Sequence, residues 1–258
     1  MNPKVGIVVP TLGKRPEYLR LCLKSIRAAG DARIHIVAPS SVDLTSIVGP
    51  ELYDDIIVDP GAGLSAAIHI CLQSFPESIE YINWLGDDDM LTTGALDRAL
   101  SVLIGCANVS LVYGGCEYID EKGAVIWKNR SGKYASPLIN FGPQLIPQPG
   151  ALFRRDAYIA IGGLNPSFKW AFDLDLLIRL KKIGKLQFVD STLAQFRWHE
   201  GSLSVGGRQG SVDEASRIRR DSLPKSLKFF SSLWEIPMRR AILVAGERLN
   251  KKSRYPRE

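Results

Sequence analysis

Strand-like and helix-like segments alternate through the first half of the chain, and this rhythm restricts the fold more than any other feature. Lys4 to Val9 reads as a buried strand, and RPEYLRLCLKSIRAAG then repeats apolar residues at helical spacing until Gly30. The same order returns in ARIHIVAP and SSVDLTSIVG, in DDIIVDP and LSAAIHICLQSF, and in YINWLG and TTGALDRALSVLIG, before the strand SLVYGG. Strands joined through helices run parallel and need cover on both faces. The expected fold class is therefore α/β, with a mostly parallel sheet.

After Gly115 the rhythm changes. CEYIDEKGAVIWKN reads as two strands joined by a turn at Glu121 to Gly123, which makes the second half smaller and mixed. GALFRRDAYIAIGGLN, the helix-like DLDLLIRLKKIG and the strand-like KLQFVDSTLAQFRWH follow. Gly201 to Gly210 reads as a flexible loop, and the remainder from Val212 as basic and helical. The expected division is 1–115, 116–205 within the same domain, and a loop with a basic helical extension at 206–258. A chain of 258 residues with 45% hydrophobic content has enough apolar surface for a full core. No apolar run is long enough to span a bilayer and MNPKVGIVVP has no cleavage site of a signal peptide, so the expected location is cytoplasmic. Cys22, Cys71, Cys106 and Cys116 show no CxxC spacing and read as buried thiols.

In YINWLGDDDML three carboxylates, Asp87, Asp88 and Asp89, stand side by side at the carboxyl end of a strand. Open parallel sheets bind ligands at such ends. Adjacent carboxylates repel unless a cation neutralises them or one is protonated, and Mg²⁺ or Mn²⁺ suits one or two carboxylates together with waters and substrate phosphates. The plainer account is that Asp89 caps the following helix, which explains one aspartate of the three.

VGIVVPTLGKRPEYLRLCLKSI, GLSAAIHICL, WLGDDDML, QPGALFRRDAYIAIGGLNPSF, FDLDLLIRL and FRWHEGSLS occur in that order between about Lys4 and Ser204. Together they resemble a family-2 glycosyltransferase of the GT-A fold. The resemblance implies transfer of a sugar from a nucleotide diphosphate donor to a saccharide or lipid-linked acceptor, with Mg²⁺ or Mn²⁺ as cofactor. It implies an acidic metal motif on Asp87 to Asp89, with Asp88 and Asp89 as metal ligands. Pro10, Thr11, Arg15, Asp87, Asp88 and His199 then fall on the nucleotide side. The family's catalytic base aligns with Asp173, and Asp175 is the competing carboxylate, while Phe172 and Gly86 stand where the family often has acids. A single base and direct displacement imply inversion at the anomeric carbon, and the family's usual setting is polysaccharide or glycolipid assembly.

Other residues leave two uses open. Asp173 and Asp175 can both serve the start of a helix, where negative charge is favourable, and their spacing turns them about 200° apart. His199 can be a structural histidine or a diphosphate-side group. Trp170 can stack on an acceptor ring or fill the core. Gln148, Pro149, Gly150, Gly162 and Gly163 can border the sugars or make turns. Gly201 to Gly210 can close over the donor and exclude water.

Two different functions compete with sugar transfer. Gly61, Gly63 and Ala66 match G-x-G-x-x-A between a strand and a helix, which suits an NAD-dependent oxidoreductase. The net charge of +6 and the basic, apolar C-terminal segment suit a non-enzymatic membrane- or nucleic-acid-binding protein, or a peripheral membrane contact of the enzyme at the inner face of the membrane. No nucleic-acid-binding module is recognisable.

Overall fold

A computed structural model describes residues 4–129, 132–199, 201–202 and 206–254. The alternation is present as β1 (Val5–Pro10), α1 (Pro16–Ala29), β2 (Ala32–Ala38), α2 (Leu44–Ile47), β3 (Asp55–Val58), α3 (Leu64–Gln73) and β4 (Tyr81–Trp84). β5 (Met90–Leu91), α4 (Ala95–Gly105), β6 (Val109–Ile119) and β7 (Val125–Asn129) follow. The second half adds α5 (Ala135–Leu138), β8 (Ala151–Arg154), α6 (Arg155–Ala160), α7 (Phe172–Ile183) and β9 (Lys185–Arg197). The chain then continues through α8 (Arg208–Ser222), α9 (Lys225–Lys228) and α10 (Ser232–Arg254).

The strands form one sheet in the order β3-β2-β1-β4-β8-β6-β9-β5, with β7 on β6. β1 to β4 pair parallel, as the strand and helix rhythm requires. β8 enters antiparallel between β4 and β6, so the sheet is mixed beyond β4. β6 runs unbroken across residues 115 and 116 and pairs with β9 in parallel. The α/β class with a mixed second half and C-terminal helices is what the chain adopts.

Local sequence accounts for most elements. Pro16 opens α1, where a missing N–H is harmless, and Leu19, Cys22, Leu23 and Ile26 bury one stripe against the sheet. β1 is buried on both faces as VGIVV, the pattern of a central parallel strand. SSVDLTSIVG shortens to the single turn of α2, capped by Asp43 and stopped before Pro50. Gly114 permits the close approach of β9: a methyl group there would lie 2.5 Å from the Ser191 carbonyl oxygen. The β6–β9 register shifts at this point.

Two expectations change. Arg208 to Gly210 belongs to α8 rather than to a loop, because Gly210 packs against Trp170, where a methyl group would come within 2.8 Å of the indole. Residues 203–205 of the expected loop lie outside the described residues. Cys22, Cys71 and Cys116 are buried thiols, whereas Cys106 is exposed because it follows the last turn of α4.

Candidate active site

The strand order reverses between β1 and β4, and the loops after these two strands meet there. Thr11 follows β1, and Asp87, Asp88 and Asp89 follow β4. α1 lies beneath the acidic loop: Cys22 Sγ donates to the Gly86 carbonyl at 3.4 Å, and Leu91 N–H donates to Ser25 Oγ at 3.0 Å. β5 fastens the far side of the loop to β9 through Met90 and Leu91.

Each carboxylate has its own partner. Thr11 Oγ1 donates to Asp87 Oδ2 at 2.5 Å. Asp88 Oδ2 accepts from Arg15 Nη1 at 2.8 Å and faces His199 Nε2 at 2.8 Å. Asp89 Oδ1 accepts the Arg197 backbone N–H at 2.9 Å. Burial raises Asp87, opposed by the Thr11 hydrogen bond. Burial acts on Asp88 too, yet the His199 hydrogen bond and the Arg15 charge outweigh it and hold Asp88 below its ordinary range. Burial and then the charge of Asp88 push Asp89 well above its ordinary range. The repulsion within the triplet is thus met in part by the Arg15 guanidinium, which lies against Asp88.

Hydrogen bonding also fixes the His199 tautomer. Gly201 N–H donates to His199 Nδ1 at 3.1 Å, so Nε2 carries the hydrogen and donates to Asp88. Arg15 Nη1 lies 2.7 Å from the same Nε2, so the guanidinium and the imidazole stand together on one side of Asp88.

The other side of Asp88 is different. Gly86 has no side chain, and a methyl group on it would lie 2.8 Å from Asp88 Oδ1 and 3.3 Å from Asp89 Oδ2. Neither oxygen takes a hydrogen bond from another described residue. Two carboxylate oxygens therefore lie closer to the Gly86 backbone than a side chain there would allow, and an acid at this position would displace Asp88. Among the described residues no group of three or more His, Cys, Asp or Glu side chains forms a metal cage. Two carboxylates alone match the needs of Mg²⁺ or Mn²⁺, which complete their shells with water and phosphate.

The two candidate bases are separated. Asp173 and Asp175 both lie in the first turn of α7. Asp175 Oδ2 accepts two bonds from Arg179, at 2.9 Å from Nε and 2.6 Å from Nη2, and Arg179 also holds the Ile161 carbonyl. Asp173 Oδ2 instead accepts from Gln144 Nε2 at 2.5 Å. Burial raises Asp173 above its ordinary range, while Gln144 and the more distant Arg219 oppose that rise. Burial raises the Tyr118 phenol first, and the charges of Cys116, Asp89 and Asp173 add to the rise. Asp175→Asn is expected to lower stability by about 1 kcal/mol through loss of the charged pair with Arg179 and to leave turnover within about threefold, as measured by urea unfolding and steady-state kinetics.

Pro10 ends β1, and Thr11 Oγ1 also accepts the Gly13 N–H at 3.0 Å. Gln148 gives both amide hydrogens to β4, to Asn83 Oδ1 and the Trp84 carbonyl, each at 2.8 Å. Gly163 is buried against His69 in a turn. The Gly61, Gly63 and Ala66 stretch follows β3, the outermost strand, away from the point where the strand order reverses.

Four residues escaped the sequence reading. Arg197 is 2% exposed and donates to the backbone carbonyls of Asp88, Asp120 and Glu121. Its signal was a charge within the apolar strand FVDSTLAQFR. Gln144, Tyr118 and Arg219 come from segments whose local pattern gives no sign that Gln144 bonds Asp173 or that the other two feel its charge. Burial lowers the Arg219 guanidinium to about 10, opposed by Glu235 and Asp173.

No family model matches the chain. It is 24% identical over 216 residues to a protein of Rickettsia typhi named as an uncharacterized glycosyltransferase, covering 77% of this chain and 65% of that protein. A similarly named protein of Rickettsia felis is 27% identical over 138 residues, covering 49% of this chain and 22% of its own length. The chain thus spans 22% to 65% of the length of these curated relatives. Among solved structures, S. aureus TarS in complex with UDP-GlcNAc superposes with a TM-score of 0.66 at 14% identity, over 88% of this chain and 69% of that one. The mannosyltransferase PcManGT from Pyrobaculum calidifontis, in complex with GDP-Man and Mn²⁺, gives a TM-score of 0.63 at 15% identity, over 96% of this chain and 76% of that one. The chain therefore shares its fold with proteins that hold UDP-GlcNAc or GDP-Man, and its sequence relatives carry the name glycosyltransferase.

Proposed function

We propose that the chain is a metal-dependent, inverting glycosyltransferase that moves a sugar from a nucleotide diphosphate sugar to a saccharide or lipid-linked acceptor. The observation that carries this reading is the meeting of Asp88, Arg15 and His199 where the strand order reverses. A family-2 assignment rests on the sequence resemblance. Asp88 and Asp89 would hold Mg²⁺ or Mn²⁺ on the Gly86 side. When bound, the metal supplies positive charge that stabilises the leaving diphosphate.

The remaining work falls to the chain's own residues. Arg15 and His199 present donors beside Asp88, where they can bind diphosphate oxygens. Thr11 keeps Asp87 oriented and Arg197 fixes the loop, so these groups need little reorganisation when the donor arrives. Asp173 takes the proton from the acceptor hydroxyl as its oxygen bonds to the anomeric carbon. The bond from that carbon to the diphosphate breaks on the opposite face, and its electron pair leaves with the nucleoside diphosphate. A carboxylate with a raised pKa is a stronger base than an exposed aspartate, which suits this task. Gln144 holds it in place without removing its charge.

The direct test is release of nucleoside diphosphate and transfer of labelled sugar from UDP-GlcNAc and GDP-Man, with Mn²⁺ and with chelator. Metal-stimulated turnover of one donor supports the proposal; turnover of neither, with tight metal-free binding of NAD, would replace it. Arg219 acts on Asp173 by charge, so Arg219→Met is expected to move the acidic limb of the kcat/KM profile to higher pH. The sign follows because Arg219 lowers the pKa of Asp173 and its loss lets that pKa rise. An unmoved limb would remove Arg219 from the site.

A further inference from the structure

The C-terminal helices carry a face that sugar transfer does not use. α8 is anchored by buried Val212, Ser216, Ile218 and Arg219, and so belongs to the fold rather than to a free basic surface. Beyond it, Phe229 is 83% exposed, Leu233 73%, Ile236 54% and Phe230 53%. Leu233, Ile236 and Arg240 recur at helical spacing within α10, and Phe229 and Phe230 lie in the turn that precedes this helix. Large apolar side chains grouped in this way mark a surface that binds something.

Charge selects the partner. From Ser222 to Gly246 the basic residues are Lys225, Lys228, Arg239 and Arg240, and the sole acid is Glu235. Glu235 is buried against Arg220, and Arg239 is paired with Asp213. Lys225, Lys228 and Arg240 have no acidic partner among the described residues and flank these apolar side chains along the chain. Aromatic and aliphatic side chains beside unneutralised lysine and arginine suit a lipid interface with negative headgroups. No helix among the described residues is long and apolar enough to cross a membrane, so contact through this face is peripheral.

We propose that the face formed by Phe229, Phe230, Leu233 and Ile236, with Lys225, Lys228 and Arg240, docks on an anionic bilayer surface. Its position also serves the chemistry. Trp234 in the same helix packs on Phe141 with ring centroids 5.9 Å apart, and Asn140 donates to Ser222 Oγ at 2.9 Å. That neighbouring segment carries Gln144, which holds Asp173. The helix that carries the docking face thus packs on the segment that holds Asp173, a link to the chemistry that rests on Asp173 being the base.

The test is sedimentation of the full chain with vesicles of phosphatidylcholine alone and of phosphatidylcholine mixed with phosphatidylglycerol. The chain is expected to pellet with the mixed vesicles and to be released by raised salt. Phe229→Ser with Leu233→Ser, and separately Lys225→Glu with Lys228→Glu, are each expected to weaken partitioning about tenfold or more. Unchanged nucleoside diphosphate affinity in these variants would show that they remain folded. Recovery in the supernatant with both vesicles, or equal pelleting of variants and parent, overturns the proposal. So does lipid-free dimerisation that the Phe229→Ser and Leu233→Ser changes abolish, since the face would then belong to a second copy. Lipid binding without any sugar transfer would instead strike the enzymatic reading and leave this one standing.

Discussion

Asp173→Asn is expected to slow sugar transfer about 10²- to 10⁴-fold while leaving nucleoside diphosphate affinity within about twofold. The amide keeps the volume of the carboxyl and can still accept from Gln144 Nε2, but it cannot take the acceptor proton. Stability should move in the opposite direction from activity. Burial raises the folded-state pKa of Asp173, so its favourable contribution is complete below the unfolded pKa and is lost as pH rises through the folded pKa. At neutral pH the native protein carries the cost of an enclosed charge, and the neutral amide does not. The variant should therefore melt no lower than the parent at pH 7, with any gap closing towards acid pH in calorimetric scans. Transfer within tenfold of the parent would place the base elsewhere, and with Arg179 engaging Asp175 the next candidate would be a group of the acceptor itself.

The second large effect concerns Asp88. Asp88→Asn is expected to weaken Mn²⁺-supported binding of UDP or GDP about 100-fold, and to make the residual binding indifferent to chelator. The substitution leaves a side chain of similar size next to Arg15 and His199, so the loop retains its outline. Arg15→Ala should behave differently. It removes a diphosphate donor while leaving the two oxygens near Gly86, so binding should weaken both with and without metal, and its dependence on Mn²⁺ should persist. Calorimetric titration of each nucleotide into each variant separates the two patterns. If Asp88→Asn keeps a full response to Mn²⁺, the carboxylates of this loop are structural, and Arg15 is the counter-charge of Asp88.

Much of the architecture was legible in the sequence because it is local. Apolar runs of four to seven residues became β1 to β4, and apolar spacing of three and four residues became the helices between them. The acidic triplet could be placed at the end of β4 for the same reason. The insertion of β8 between β4 and β6 could not be read, since strand order depends on pairing between segments far apart in the chain. The two-residue β5 was equally hidden, because it exists only through its pairing with β9.

The candidate site divides along the same line. Its residue types, three adjacent carboxylates and an acidic helix start, are a property of the sequence. Their states are not: Asp88 is held charged by Arg15, 73 residues away, and His199, 111 residues away, while Asp89 is closed off against the backbone of β9. Nor could spacing choose between Asp173 and Asp175, which share a helix turn. The sequence by itself determined which elements form and where acids cluster, because periodicity, turn residues and strand ends act over a few neighbours. Only the tertiary structure decided which carboxylate meets a guanidinium, which accepts from the backbone of β9 and which is held by Gln144, because burial and charge depend on distant segments brought within a few ångströms.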